Sequence, residues 1–235
     1  FYNLIRCEIV LCEPSLCGTH STVDKAEGNV VVNAKTLLKD VFGFKKFRPG
    51  QLEIIDAVAC GENVLAIMPT GGGKSLCFQL PALLNDGLTV VISPLIALMR
   101  DQVRGLKAVG VAAGAITSGN TQEEVDQVLS QIFSGDLKLL YLAPERLVSK
   151  KIQNILSSAN VTSIAVDEAH CVSQWGHDFR PDYLGIGELR RKLCVPLSAF
   201  TATADKETQQ EIMERLFEGA APKVFLRGFD RPNIY

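Results

Sequence analysis

Hydrophobic and polar positions alternate regularly along the chain from about residue 34 onward. Short runs of β-branched and aliphatic residues predict strands at 64–68, 89–93, 137–143, 163–167, 197–201 and 223–226. Helix-like segments lie between them, at 36–41, 51–60, 74–84, 96–109, 121–134 and 206–216. Strands that alternate with helices imply crossover connections and a mainly parallel sheet, and their continuous apolar character indicates burial on both faces. The sequence therefore predicts an α/β fold, with ligands bound beyond the carboxyl ends of the strands.

Composition and charge narrow the class of protein. A chain of 235 residues with 47% hydrophobic and 21% charged residues is typical of a globular protein with a sizeable core. The net charge of −2 means that any polyanion must bind through local patches. Seven cysteines, an odd number without a Cys-x-x-Cys pair, argue against a disulfide framework and a zinc site and favour reduced thiols in a cytosolic compartment. The longest apolar run is too short to span a bilayer, so no membrane contact is expected.

A glycine-rich segment follows the first predicted strand. In "MPTGGGKS", residues 68–75, the backbone N–H groups of Gly71, Gly72 and Gly73 can converge on phosphate, and the next helix adds its positive N-terminal end. Lys74 is placed for the β- and γ-phosphates of a nucleotide, and the Ser75 hydroxyl is placed for Mg²⁺. A glycine-rich turn with an exposed lysine is the alternative, but a strand before and a helix after are the context of a P-loop.

Two adjacent carboxylates end another predicted strand. Asp167 and Glu168 follow the apolar run 163–166, at the same sheet edge as the glycine loop. Asp167 is predicted to hold Mg²⁺ and Glu168 to orient the attacking water. Two acids that favour the positive end of a helix dipole are the alternative, and the upstream P-loop makes the catalytic interpretation the stronger one.

Several further segments resemble one helicase family. "MPTGGGKS", "DEAH" at 167–170 and "SAFTATA" at 198–204 resemble motifs of superfamily 2 helicases. "FGFKKFRPGQ" at 42–51, "SPLIALMRDQV" at 93–103, "YLAPERL" at 141–147 and "CVSQWGHDFRPDY" at 171–183 narrow the resemblance to the RecQ family of DNA helicases, from about residue 37 onward. Met68 departs from the P-loop pattern, which has glycine there. The resemblance implies a RecA-like P-loop NTPase fold, a three-layer sandwich that binds ATP and Mg²⁺.

The resemblance also implies how the nucleotide base is recognised. Phe44 would stack on adenine, Gln51 would read its edge by paired hydrogen bonds, and Arg48 would support the pocket. Thr70 belongs to the phosphate loop by the same match. A basic turn before a helix, with its phenylalanines in the core, is the alternative interpretation.

Contacts with DNA are implied by other matching positions. Ser93 and Arg146 would hold the DNA backbone without reading its sequence, although Glu145 and Arg146 could equally form a local ion pair. Ser198, Thr201 and Thr203 match the motif that links the ATP site to the DNA-facing surface. A Ser/Thr turn that caps the helix from residue 206 is compatible with that role.

The segment after "DEAH" concentrates aromatic and basic residues. Trp175, Phe179 and Arg180 suit a sensor of single-stranded DNA, because aromatic rings stack on bases at roughly 1–3 kcal/mol each. His170 and His177 could relay the position of the strand toward the γ-phosphate. Trp175 and Phe179 as core residues under a long loop are the alternative. We predict a coupling loop joined covalently to the acid pair.

The organisation implied by the resemblance has three parts. Residues 1–33 form an extension of unclear nature, 34–228 the first RecA-like helicase lobe, and 229–235 the start of a linker to a second lobe that this chain lacks. Single-stranded and forked DNA are the expected partners, with 3′→5′ translocation and unwinding in repair or recombination. The expected location is the bacterial cytoplasm, near the nucleoid, or a eukaryotic nucleus. The alternatives are another superfamily 2 motor such as an RNA helicase, and a nucleotide-gated DNA-binding module without turnover.

Overall fold

A computed structural model describes residues 27–174 and 179–227, with side chains from residue 33. The helices are α1 (Glu27–Asp40), α2 (Gln51–Ala59), α3 (Leu76–Leu84), α4 (Ile96–Ala108), α5 (Gln122–Ser134), α6 (Lys150–Ser158), α7 (Gly185–Leu193) and α8 (Lys206–Ile212). The strands are β1 (Val64–Ile67), β2 (Leu88–Ile92), β3 (Ala113–Ile116), β4 (Leu139–Leu142), β5 (Val161–Val166), β6 (Leu197–Thr201) and β7 (Lys223–Leu226). Short 3₁₀ turns, among them Pro144–Val148, Ala169–Val172 and Pro181–Leu184, join some of these elements.

The seven strands form one sheet in the order β3-β4-β2-β5-β6-β1-β7, and every pair of neighbours is parallel. The α/β prediction is confirmed, and each of the six predicted strands is present. The sequence pattern missed the edge strand β3, because Ala113, Gly114 and Ala115 lack the β-branched side chains that mark a strand. It also missed α6 and α7, and it placed the start of α1 nine residues too late (36 − 27 = 9).

Two hydrophobic clusters cover the two faces of the sheet. Side chains alternate along each strand, so Leu65 and Ile67 join one cluster while Val64 and Ala66 join the other. Helices α1 to α4 supply the second cluster, and α5 to α8 supply the first. The fold is thus the three-layer sandwich that the sequence predicted, with the sheet buried between two layers of helices.

The strand order brings the predicted chemistry to one edge of the sheet. Strand β6 lies between β1 and β5, with Ala66 opposite Phe200 and Val166 opposite Ala199. The glycine loop that follows β1 and the acid pair that follows β5 therefore emerge on either side of β6. Within the described ranges, no helix has the length and apolar character needed to cross a bilayer.

Candidate nucleotide and DNA site

The glycine loop connects β1 to α3 with two residues in the left-handed region. Gly71 has φ +78° and Gly73 has φ +82°, values that residues with a side chain rarely adopt. A Cβ at Gly73 would also collide with Nε2 of Gln51. Lys74 and Ser75 come next, both partly exposed, and Ser75 is the N-cap residue of α3. The local geometry is that of a loop whose backbone can approach an anion closely.

Gln51 contacts the glycine loop directly. Its Nε2 donates to the carbonyl oxygen of Gly73 at 3.1 Å, and its Oε1 accepts from the backbone N–H of Arg48 at 2.8 Å. Both sides of the amide are therefore engaged within the protein, and the side chain is buried. Gln51 braces the glycine loop here, because the loop carbonyls need donors. Its contact with adenine stays a prediction.

Phe44 and Arg48 lie exposed next to this brace. Phe44 exposes 56% of its surface and lines a cavity of about 350 Å³ together with Phe42, Leu98 and Gln102. The Arg48 side chain approaches the glycine loop, with its Cδ 3.8 Å from the position of a Cβ on Gly73. The exposed Phe44 ring is available for stacking, and the adenine contact stays a prediction.

Asp167 is held rigidly at the end of β5. Its Oδ1 accepts from the Glu168 N–H at 3.0 Å, its Oδ2 accepts from the Ser93 hydroxyl at 3.4 Å, and only 7% of its surface is exposed. Burial raises the pKa of the carboxyl to about 6, and the neighbouring charge of Glu168 adds to this effect. Hydrogen bonds from Glu168 N–H and Ser93 and the charge of Lys74 lower the pKa of the same carboxyl and partly offset the effect of burial.

Glu168 and His170 connect the acid pair to β6. Glu168 has the left-handed backbone (φ 49°, ψ 48°), and its Oε2 lies 3.3 Å from His170 Nδ1. The same Nδ1 lies 2.9 Å from Oγ1 of Thr201. Because Thr201 donates its only hydroxyl proton to the Thr203 carbonyl at 3.0 Å, Nδ1 must carry a proton and donate to Oγ1. "DEAH" and "SAFTATA" are therefore joined by a directed hydrogen-bond chain.

Two serines predicted to act toward DNA are buried instead. Ser93 is 1% exposed and donates to Asp167, so it supports the acid pair and does not face DNA. Ser198 lies within β6 and donates to the carbonyl oxygen of Ile164 at 3.4 Å, inside the sheet. Ser198 is buried because both faces of β6 are covered, and Ser93 is buried because it follows β2, which lies next to the strand that ends at the acid pair. The cap of α8 is Asp205, which accepts from the N–H of Thr208, and not a Ser/Thr turn.

The remaining DNA candidates have mixed outcomes. Arg146 donates to the carbonyl oxygen of Thr117 at 2.6 Å, and no ion pair between the described residues joins it to Glu145. Phe179 is half-buried, whereas Arg180 is exposed with Nη1 at 3.4 Å from the Pro94 carbonyl oxygen. Trp175 and His177 lie outside the described residues, so the loop predictions for them remain untested.

Sequence reasoning missed three supporting side chains. Gln102 on α4 donates to Oγ of Ser75 at 2.9 Å, and Tyr183 donates from its hydroxyl to the carbonyl oxygen of Asp167 at 3.1 Å. Glu211 on α8 accepts from Ser173 Oγ and from the N–H of Gln174. Gln102 and Tyr183 lie within matched segments, but only the fold shows which atoms they reach. Glu211 lies in an ordinary helical pattern that carries no signal.

Comparisons with known proteins agree with this geometry. The model of the DEAD/DEAH box helicase family matches residues 48–212. The chain is 50% identical over 202 residues to ATP-dependent DNA helicase RecQ of Haemophilus influenzae, covering 86% of this chain and 32% of that protein. It is 46% identical to the probable ATP-dependent DNA helicase RecS of Bacillus subtilis (84% and 40% covered) and 42% identical to ATP-dependent DNA helicase Q1 of Rattus norvegicus (86% and 34%). The chain thus spans about a third of the length of these relatives.

Solved structures show the same fold at low sequence identity. The helicase domain of Pyrococcus furiosus Hef is 20% identical with a TM-score of 0.62, covering 83% of this chain and 40% of that one. The helicase MrfA, bound to DNA and AMPPNP, is 19% identical with a TM-score of 0.67, covering 83% and 29%. These neighbours support the RecA-like fold. The chain belongs to the DEAD/DEAH box helicase family and, within it, to the RecQ helicases.

Proposed function

We propose that this chain is the ATP-binding motor lobe of a RecQ-type DNA helicase that couples ATP hydrolysis to 3′→5′ translocation and duplex unwinding. One observation carries the proposal: the glycine loop and the acid pair emerge on either side of β6, and Thr201 at the end of β6 bonds to His170. A nucleotide held by the loop would therefore lie close to the acid pair and to the hydrogen bond that joins His170 to Thr201. The relatives are named as DNA helicases, which supports DNA as the nucleic acid along which the motor moves.

The residues of the site have separate roles in phosphoryl transfer. Backbone N–H groups of residues 71–73 and the Lys74 ammonium bind the phosphates and offset their charge. Glu168 takes the proton of the attacking water. His170 lies beside that carboxylate, with Nδ1 3.3 Å from its Oε2, and the hydrogen bond of Nδ1 to Thr201 fixes the ring.

Mg²⁺ fits the donors that the site offers. The Asp167 carboxylate and the Ser75 hydroxyl are both oxygen ligands, which this cation prefers, and Ser75 is partly exposed. With a pKa of about 6, Asp167 is largely ionised at neutral pH and can bind a cation. The metal, when bound, neutralises charge on the transferred phosphoryl group.

ATPase measurements on the complete helicase polypeptide test the proposal. We expect Glu168→Gln to lower kcat by about 10²- to 10⁴-fold, the usual worth of a general base, with nucleotide binding retained. Lys74→Ala should weaken ATP binding itself. Glu123→Gln, an exposed change on α5, serves as the control. Full turnover by Glu168→Gln would contradict the assignment, and absence of turnover in the unaltered enzyme would favour a binding module.

Trp175→Ala tests the proposed DNA sensor separately. Loss of a stacking ring should abolish the stimulation of ATPase by single-stranded DNA while nucleotide binding survives. Stimulation assayed in parallel with single-stranded RNA separates a DNA motor from an RNA helicase. Undiminished stimulation by DNA in Trp175→Ala would reject the sensor role.

A further inference from the structure

A chain of polar side chains runs from the core to the glycine loop. Nε2 of Gln79 on α3 donates to the hydroxyl oxygen of Tyr141 at 2.9 Å and to Oε1 of Gln102 at 2.5 Å. Nε2 of Gln102 then donates to Oγ of Ser75 at 2.9 Å. Gln79 and Tyr141 are buried, whereas Gln102 and Ser75 are partly exposed.

The hydrogen bonds from Gln79 through Gln102 to Ser75 all run in one direction. Gln79 offers its NH₂ group to Gln102, so the amide of Gln102 must accept on its oxygen and donate from its nitrogen. Ser75 consequently accepts on Oγ. A hydroxyl oxygen has two lone pairs, so one remains for a cation while the position of the atom is fixed by the other.

Gln102 lies on α4, and the segment before this helix contacts the part of the chain that follows the acid pair. Helix α4 packs into the core through Met99, Val103 and Leu106, and Gln102 is placed beside them. The segment leading into α4 includes Pro94, whose carbonyl oxygen faces Nη1 of Arg180. Helix α4 therefore contacts Ser75 through Gln102, and the segment just before the helix contacts Arg180, after the acid pair.

We infer that Gln102 is a positioning residue that presents the Ser75 hydroxyl to the nucleotide-bound Mg²⁺. The inference rests on the proposed function, which makes Ser75 a ligand of the cation. Gln102 itself contacts neither nucleotide nor metal in this scheme. Groups of this kind, one contact removed from a metal, typically change metal affinity by about 10- to 100-fold when they are removed.

The test compares nucleotide binding with and without Mg²⁺ in the complete helicase polypeptide. A fluorescent ATP analogue is titrated in saturating Mg²⁺ and in EDTA, and the ratio of the two dissociation constants gives the gain in affinity from the metal. We expect Gln102→Leu to reduce this gain about ten-fold while the affinity in EDTA stays unchanged. Lys107→Gln, an exposed change on the same helix, should leave both affinities unchanged.

A second variant separates positioning from general damage to the fold. Gln79→Leu removes the donor that orients the Gln102 amide, so it should reduce the metal gain in the same direction. The double variant should be no worse than Gln102→Leu alone, because the two side chains act in one chain. Additive losses in the double variant would overturn the inference.

The remaining outcomes are also decisive. Equal weakening in Mg²⁺ and in EDTA would make Gln102 a merely structural residue, and an unchanged metal gain would remove any role. Failure of the proposed function looks different: without a metal-nucleotide site the unaltered protein would show no gain from Mg²⁺, and a binding module would show that gain but no ATPase turnover.

Discussion

Asp167 is buried, although its predicted role as a ligand of Mg²⁺ requires a negatively charged carboxylate. Its pKa of about 6 exceeds the ordinary value of 3.8, so the folded chain binds this proton more tightly than the unfolded chain does. The stability from this group is therefore complete below pH 4 and is lost as pH rises from about 4 to 6. This loss of folding stability accompanies the predicted role, because the carboxylate must be ionised to bind a cation.

Asp167→Asn tests this cost in EDTA. The amide cannot ionise, so we expect the free energy of unfolding to rise relative to the unaltered chain at pH 8, by at most about 3 kcal/mol from 1.4 kcal/mol per unit of pKa. The difference should shrink toward pH 4, where the unaltered carboxyl is protonated. Chemical denaturation at several pH values measures it, and a pH-independent difference would contradict the assigned cause.

Residues whose roles follow from local spacing were predictable, and those placed by the fold were not. Lys74 and Asp167 follow directly from a glycine loop and a strand end, since both signals are continuous in sequence. Ser93 was assigned to DNA because its segment matches a DNA-contacting motif, yet it bonds to Asp167, 74 residues away. Contacts of that range depend on which strands are neighbours, and β2 beside β5 was not readable from the pattern.

At the scale of elements, α8 anchors the segment that follows the acid pair. Oε2 of Glu211 accepts from Ser173 Oγ at 2.5 Å and from the Gln174 N–H at 2.9 Å, while its Oε1 lies 2.8 Å from Nη2 of Arg215. Helix α8 follows β6 and Thr201 in the chain, and through Glu211 it also contacts the segment after the acid pair. Arg215 fixes the carboxylate so that both of its oxygens are used.

Glu211→Gln should disturb this anchor without removing the helix. The amide has a single acceptor oxygen, so it cannot accept from Ser173 and Gln174 at one atom and from Arg215 at the other. We therefore expect the DNA concentration for half-maximal ATPase stimulation to rise about three- to ten-fold in the complete helicase, for a loss of roughly 1 kcal/mol. ATPase without DNA should stay unchanged. The matched control is Glu214→Gln, which makes the same chemical change at an exposed residue that accepts from Gln210. Equal effects of the two changes would reject the anchor.

Predictability of the elements follows the strength of their patterns. The buried central strands β1, β2, β5 and β6 are continuous apolar runs and were found. Strand β3 was missed because Gly114 packs against Val128, where a Cβ would be too close, so the strand carries small residues. A hydrophobic pattern predicts strands that contribute large side chains to the core. It does not predict a strand whose residues are small because a neighbouring helix packs closely against it.

Over the whole molecule, the two hydrophobic clusters share one sheet and must lose their packing together. Phe200 on β6 packs against Phe78 on α3 with ring centroids 5.4 Å apart and an interplanar angle of 58°. The nucleotide site therefore involves both helical layers: the glycine loop and α3 on one face, and on the other α8, whose Glu211 binds Ser173 and Gln174 after the acid pair. Ligand binding and global unfolding should be linked.

Thermal unfolding tests this linkage. A ligand that binds only the folded state stabilises it by RT ln(1 + [L]/Kd), about 2.7 kcal/mol at a concentration of 100 Kd. For a domain of this size we expect ATP with Mg²⁺ at that concentration to raise Tm by roughly 5–10 °C. Lys74→Ala, assayed at the same concentrations, should lose most of this shift, because its ammonium group is predicted to bind the phosphates, while its Tm without nucleotide stays close to that of the unaltered chain. A shift of equal size in both proteins would mean that the nucleotide binds elsewhere, and a shift in two separate unfolding steps would mean that the two clusters do not unfold as one unit.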